Sequence, residues 1–245
     1  GEGGVRVVVE GGEVVEGDVL IAADGVRSLC REMVAGSKGL RGDAKAGDGD
    51  GLRFAGYSAW RGTVRKDELS EATRCALAEE FPLLGNCLYF IHGPPDGSDG
   101  GGETGSARSS AVLYDIGGGL ANWLIYENVP APLAKPGRST STASASDIAA
   151  LRASASSLWG AAFGGVVSAT ETPFRTDVYD IATPLQRLAR GRVALIGDAA
   201  HPITPHLARG SNLAIRDAFV LASSAAAAAG GGGVAEWLER FSAAR

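Results

Sequence analysis

The chain has 245 residues, enough for one large domain or two small ones. Its 45% hydrophobic and 21% charged residues exclude a disordered chain, and a formal net charge of -5 excludes a broad electrostatic footprint for nucleic acid or an anionic membrane. No run reaches the roughly 18 apolar residues of a membrane span. The three cysteines, Cys30, Cys75 and Cys87, have no ligand spacing and form no even framework, so a soluble protein in a reducing, cytoplasmic compartment is the default expectation.

The first residues carry no initiator Met, signal peptide or transit-peptide composition, so the sequence reads as beginning inside a domain. Val5 to Val9 predicts a strand, Gly11-Gly12 a tight turn and Glu13 to Val15 the return strand of a β-hairpin. Asp18 to Ala23 is a continuous apolar run of the kind buried on both faces, and it stops at Asp24-Gly25 before a helix predicted over Ser28 to Val34. A buried strand, an Asp-Gly corner and a helix make the type of βα edge where ligands collect in open sheets.

From Leu52 to Val129 the pattern turns β-rich, with strands predicted over Leu52 to Val64, Leu88 to His92, Ala111 to Asp115 and Trp123 to Tyr126 in a mixed or antiparallel sheet. Asp67 to Glu80 and Asp147 to Trp159 read as helices. Three segments have the composition of flexible insertions without chemistry: Gly93 to Ser110, Ala131 to Ser146 and Ala225 to Gly233. Arg192 to Ile196 is a second buried strand; it ends at Gly197-Asp198, and the loop Ala199 to Gly210 leads to a helix over Ser211 to Ala228.

Two acidic corners thus follow buried strands. A strand-terminal aspartate accepts hydrogen bonds from sugar-like hydroxyls, and a neighbouring glycine admits close backbone approach; taken singly, each corner is also a common turn. Their wider context is more specific. Asp18 to Arg31 reads DVLIAADGVRSLCR, and Gly191 to Asp217 reads GRVALIGDAAHPITPHLARGSNLAIRD. These resemble the two signatures of the class A flavoprotein monooxygenases, the group of p-hydroxybenzoate and salicylate hydroxylases and zeaxanthin epoxidase. The D-G-x-x-S-x-V-R pattern falls on Asp24, Gly25, Ser28 and Arg31, with Cys30 in place of Val. The G-D-A-A-H-x-x-x-P pattern falls on Gly197 to His201 and Pro205, and Gly210 and Asp217 also fit.

The resemblance implies that Asp198 holds the ribityl chain of FAD, that Gly197, Ala199 and Ala200 shape the turn beneath it, and that the loop Pro205, Ala208, Arg209 and Gly210, capped by a helix at Ser211, offers N–H groups to the flavin pyrimidine ring. A helix N-terminus suits that place because it carries about half a positive charge. Asn212 is compatible with the same loop. Asp24, Gly25 and Arg31 resemble the segment serving FAD and the nicotinamide cofactor, in part through structural and water-mediated contacts. Where the family has Gly-Gln-Gly, this chain has Ala208-Arg209-Gly210, so Arg209 either steadies a negative flavin or points to solvent. His201 reads as structural; His206 is the candidate to touch substrate or deprotonate a phenol, or else an ordinary loop residue. No metal-ligand cluster is expected.

The segments Gly56 to Gly62 and Asn122 to Val129 resemble the substrate-domain sheet of hydroxylases of the salicylate and 2,6-dihydroxypyridine type. Tyr57, Trp60 and Trp123 are then candidates for an aromatic pocket and Arg61 for pairing with a substrate oxyanion; the alternative is a sheet core with a structural ion pair. No G-x-G-x-x-G follows a strand. The implied fold is therefore α/β: an N-terminally truncated, Rossmann-like FAD-binding domain without its GxGxxG βαβ unit, in two parts at 1–50 and 176–245, with a β-rich substrate domain inserted at 51–175. The implied activity uses NADPH or NADH and O2 to hydroxylate a small aromatic substrate through a flavin C4a-hydroperoxide. A non-catalytic truncated paralogue or gene fragment and an epoxidase of the same family are the alternatives, and a homodimer is compatible with either.

Overall fold

The computed structural model describes residues 3–36, 51–92, 110–228 and 231–245, without the side chain of Leu207. In chain order the elements are β1 (Val5–Val8), β2 (Val14–Gly17), β3 (Leu20–Ala22), α1 (Arg31–Ala35), β4 (Leu52–Arg65), α2 (Glu71–Glu80), β5 (Tyr89–His92), β6 (Ser110–Gly117) and β7 (Leu120–Asn128). There follow β8 (Thr140–Ser141), α3 (Ala145–Ala169), β9 (Phe174–Ile181), β10 (Ala189–Arg190), β11 (Val193–Leu195), α4 (Arg209–Ala228) and α5 (Val234–Ala243). Two compact units result, one from Gly1–Ala55 with Tyr179–Arg245, the other from Gly56–Val178. The expected insertion Gly93 to Ser110 lies outside the described residues except for Ser110, which opens β6; so do residues 37–50 and 229–230.

In the first unit β1 and β2 form the expected antiparallel hairpin, with Gly11 at φ 102° and Gly12 at φ 87° in the turn. The positive φ values are the reason two glycines stand there. A second sheet has the order β10-β11-β3, with β11 parallel to β3 and antiparallel to β10. Within the Asp18 to Ala23 run the strand itself is β3, three residues long, with Ala22 buried and Leu20 and Ile21 half-covered. Ala22, Val34, Ala194, Leu195, Leu238 and Phe241 form the core of this unit, so α1 and α5 close over the sheet. Of the Ala225 to Gly233 run, Ala225 to Ala228 belong to α4, with Ala228 buried, and Gly233 stands at the N-cap of α5.

In the second unit the long strands explain themselves by alternation, which sends successive side chains to opposite faces. β4 pairs with β7, β7 with β6 and β6 with β5, all antiparallel. One face carries Trp60, Val64, Leu113, Trp123 and Ile125 and packs on α2 and α3 through Leu77, Phe163 and Val166. Helix α3 starts on a capping box, in which the Ser144 hydroxyl accepts the Asp147 N–H (3.1 Å) and Asp147 accepts the Ser144 N–H (3.2 Å). It is interrupted at Gly160 (φ 82°), so two helical pieces meet there. A Cβ on Gly165 would stand 2.5 Å from Thr73 Oγ1, which lets α3 approach α2 closely.

The Ala131 to Ser146 segment also departs from expectation. The buried Asp177 carboxylate accepts the N–H groups of Leu133 (2.9 Å) and Ala134 (2.7 Å), and β8 pairs with β9. A backbone tied at these points is a fixed connection, not a flexible passenger. The expected helix Asp67 to Glu80 is divided into a 3-10 turn at Lys66–Glu68 and α2, because Ser70 caps the second piece by accepting the Thr73 N–H (3.1 Å). Among the described residues no helix is long and apolar enough to cross a membrane.

Candidate functional site

In the first unit the ends of β3 and β11 lie side by side, since the Ile196 N–H donates to the Ala22 oxygen (3.0 Å). Two corners therefore leave adjacent parallel strands together. At the first, Gly25 takes φ 79° and the Asp24 carboxylate accepts the N–H groups of Leu29 (2.8 Å) and Cys30 (3.4 Å). Burial pushes the Asp24 carboxyl up, but the Ser28 hydroxyl and these backbone donors outweigh it and hold it below its ordinary value. Burial, with the Asp24 charge beside it, pushes the Cys30 thiol up, so this cysteine is no ready thiolate.

Arg31 is turned inward. It is wholly buried, and its guanidinium donates to the main-chain oxygens of Ala199 (2.9 Å), Asp198 (2.9 Å) and Val26 (2.8 Å). The residue thus stitches the two corners together through their carbonyls and does not present a surface cation to a cofactor. Asp24 Oδ2 likewise accepts within the turn before α1.

At the second corner Gly197 takes φ 60°, opens a 3-10 turn over Gly197–Ala199, and accepts the N–H groups of Ala200 and His201, each at 3.0 Å. A Cβ there would be 3.3 Å from Ala214 Cβ on α4, so glycine is needed for both conformation and clearance. Ala199 and Ala200 are wholly buried and act only through their backbone. Asp198 is the exposed member. A Cβ on Gly210 would lie 3.7 Å from Asp198 Oδ1, which places the carboxylate against the first turn of α4. His201 Nε2 lies 2.8 Å from Asp217 Oδ2, an arrangement that holds the loop.

The loop after this corner passes Pro205, makes a 3-10 turn at His206–Ala208 and runs into α4 at Arg209. Ser211 is therefore not the cap of this helix but a residue of its first turn, because the 3-10 turn already sets the backbone two residues earlier. Ala208 has φ 49°, the one positive-φ residue other than glycine among the described residues. His206, Arg209, Ser211 and Asn212 are exposed. The first-turn N–H groups of a 20-residue helix and an exposed carboxylate together offer donors and acceptors to a ligand rich in oxygen atoms. An FAD ribityl chain and pyrimidine ring fit this chemistry.

In the second unit the expected aromatic pocket divides between two faces. Trp123 is core: wholly buried, it donates from its indole nitrogen to Thr170 Oγ1 (2.8 Å) and packs edge-on against Phe163. Trp60 lies on the same helix-covered face under the Arg175 guanidinium, 4.1 Å from its ring centre, and borders a cavity of about 420 Å³ with Trp159, Leu158 and Glu127. Tyr57 and Arg61 stand on the opposite face. There Tyr57 meets Tyr126 edge-on, with ring centres 5.7 Å apart, and Ala59, Val112, Leu124 and Tyr114 complete the cluster. Burial pushes the Tyr126 hydroxyl up, the Arg61 charge pulls it back and Tyr114 adds to the rise. The net direction keeps Tyr126 a neutral phenol that can donate a hydrogen bond. Tyr114 and Tyr126 were missed from sequence; the register Ala59↔Tyr126 is what joins them to Tyr57.

Residues 158–245 match the family described as an FAD binding domain. Among the relatives, the chain is similar to FAD-dependent hydroxylases. It is 30% identical over 234 residues to an FAD-dependent urate hydroxylase of Klebsiella oxytoca, covering 89% of this chain and 46% of that protein. It is 30% identical over 220 residues to a salicylate hydroxylase of Pseudomonas putida, covering 90% of this chain and 46% of that one. The crystal structure of Klebsiella pneumoniae HpxO complexed with FAD and uric acid superposes with a TM-score of 0.67 at 28% identity, covering 100% of this chain and 51% of the other. The mixed α/β fold is thus similar to that of FAD-dependent hydroxylases, and the chain spans about half the length of these three relatives.

Proposed function

We propose that this chain is part of an FAD-dependent monooxygenase that uses NAD(P)H and O2 to hydroxylate a small aromatic compound. In this reading the unit of Gly1–Ala55 and Tyr179–Arg245 is a Rossmann-like flavin-binding domain lacking a GxGxxG βαβ unit, and Gly56–Val178 is the inserted substrate domain. The observation that carries the reading is the second corner: a Gly197 turn that leaves the Asp198 carboxylate exposed at the start of α4, in a segment that matches an FAD binding domain. The three cysteines are free, which suits a reducing compartment.

FAD, when bound, supplies the electron transfer from NAD(P)H and the delivery of oxygen to the ring. The chain's own residues do the rest. Asp198 accepts hydrogen bonds from ribityl hydroxyls. The N–H groups at the start of α4 donate to the pyrimidine edge, where the helix N-terminus and Arg209 favour negative charge. Gly25, Pro205, Ala208, Gly210, Ser211 and Asn212 shape the walls of that site, and proton transfer is assigned to the exposed His206. On the sheet face, Arg61 pairs with an oxyanion of the substrate while the Tyr126 phenol donates to a ring oxygen or nitrogen, and Tyr57 and Tyr114 flank the ring.

Titration of the folded chain with FAD, followed by flavin fluorescence, tests this. Saturable binding that Asp198→Ala weakens about tenfold or more supports the reading, since one carboxylate hydrogen bond is at stake. A folded chain that retains no flavin, or one indifferent to Asp198, would falsify the flavin site for this chain.

A further inference from the structure

The flavin corner is held from behind by a charged network that the proposed chemistry does not use. Asp217, on α4, is wholly buried. Its Oδ2 accepts the Gly197 N–H (2.7 Å) and faces His201 Nε2 (2.8 Å), while its Oδ1 accepts Arg245 Nε (2.6 Å). The three donors come from three places: the corner itself, the loop after it and the segment following α5. Arg245 is nearly as buried as its partner, with 7% of its side chain exposed. Helix α5 is fixed in turn, because Leu238 and Phe241 are wholly buried and Ser242 Oγ accepts the Leu188 N–H (2.8 Å).

A carboxylate without solvent persists only when paired and hydrogen-bonded. Here each donor also restrains something. The Gly197 N–H fixes the Ile196–Gly197 peptide, one residue before Asp198, at a glycine whose positive φ allows wide backbone freedom. His201 Nδ1 is buried with no hydrogen-bond partner among the described residues, so the imidazole is anchored through Nε2 alone and depends on Asp217 for its orientation. On the other side of the corner, Arg31 takes the carbonyls of Asp198 and Ala199. Acceptors and donors of one short turn are thereby clamped from opposite sides.

We propose that Asp217, charged against Arg245, is the positioning residue of the flavin corner: it sets the Gly197–His201 backbone so that Asp198 faces the cofactor, and it makes α5 a working part of the site. The assignment rests on the flavin reading above for its ligand, but the positioning of the corner does not. Asn in place of Asp217 keeps the shape and offers one acceptor oxygen to three donors. Gln in place of Arg245 keeps most of the length and leaves the carboxylate without its cation.

The test compares Asp217→Asn, Arg245→Gln and the double variant with the unaltered chain, using Glu236→Gln on the α5 surface as control. Three quantities are measured: FAD affinity, hydrogen exchange at the Gly197 amide, and the His201 tautomer from its ring 15N shifts. Asp217→Asn and Arg245→Gln are expected to weaken FAD binding about tenfold to a hundredfold and to speed Gly197 exchange about as much. The double variant falls short of the product of the two, because the pair acts as a unit. The His201 Nε2–H tautomer gives way to a mixture in Asp217→Asn, a change that simple loss of packing does not produce. Unaltered Gly197 exchange in folded variants overturns the proposal whatever the flavin does, as does unaltered affinity where the chain binds FAD. Faster exchange and a changed tautomer in a chain that binds no FAD would sustain the positioning and sink the flavin reading. If Asp217→Asn does not fold, Arg245→Gln carries the same three readouts.

Discussion

Arg31 donates from its guanidinium to the main-chain oxygen of Asp198 at 2.9 Å, joining two corners that lie 167 residues apart in sequence. The same guanidinium reaches the oxygens of Val26 and Ala199, so a planar fork with several N–H groups is the side chain the geometry requires. Lys offers a single ammonium and cannot reach both carbonyl sets. Arg31→Lys is expected to cost about 2 kcal/mol of stability and Arg31→Ala about 3 to 5 kcal/mol, since buried carbonyls lose charged donors. Urea unfolding of the chain without flavin measures this. A loss below about 0.5 kcal/mol for the Ala variant would show the stitch to be incidental.

Ala208 lies in the left-handed region at φ 49°, where the related monooxygenases are expected to have glycine. The Cβ costs about 1 to 2 kcal/mol in that conformation. Glycine removes the strain but gives back about 0.4 to 1 kcal/mol through the freer unfolded chain. Ala208→Gly is therefore expected to stabilise the chain by about 0.5 to 1 kcal/mol. Destabilisation by Ala208→Gly would mean that this turn has another backbone shape.

The corners were legible because their determinants are local: an apolar run, an acid and a glycine, then a helix start within ten residues. The Gly11-Gly12 hairpin was legible for the same reason. What escaped was non-local. Nothing near Ala131 to Ser146 announces that Asp177 will take its amides. Asp217 fitted the motif, but its work depends on Arg245, 28 residues on and across two helices. Tyr57 and Trp60 are an odd number of residues apart on one strand, so alternation alone puts them on opposite faces. Which face the helices cover was not readable, and that decides Trp123 for the helix-covered core and Tyr126 for the cluster on the opposite face.

The Tyr57–Tyr126 cluster makes a titration prediction. Burial raises the Tyr126 hydroxyl and the Arg61 charge opposes that rise, so removing the charge leaves burial unopposed. Arg61→Gln is expected to move Tyr126 ionisation to still higher pH, seen as a delayed phenolate band in an ultraviolet titration against a Tyr126→Phe reference. A band shifted to lower pH would mean that Arg61 does not face this phenol, and its proposed pairing with a substrate oxyanion would go with it.

The acid side tests the first corner. The Asp24 carboxyl titrates below its ordinary value in the folded chain because Ser28 and the Leu29 and Cys30 amides outweigh its burial. A group whose folded value is depressed lends stability above its unfolded value and loses it as pH falls through the folded one. The contribution of Asp24 is thus complete near neutrality and fades below about pH 4. Asp24→Asn keeps one acceptor for the Leu29 amide but no titration, so its stability is expected to fall less steeply than that of the unaltered chain between pH 5 and pH 3. The variant is also less stable at pH 7, where the carboxylate does its full work. Denaturant midpoints across that range decide the matter: parallel curves would mean that the Asp24 turn is already broken in the acid-stable form, and that another carboxylate governs the acid limb.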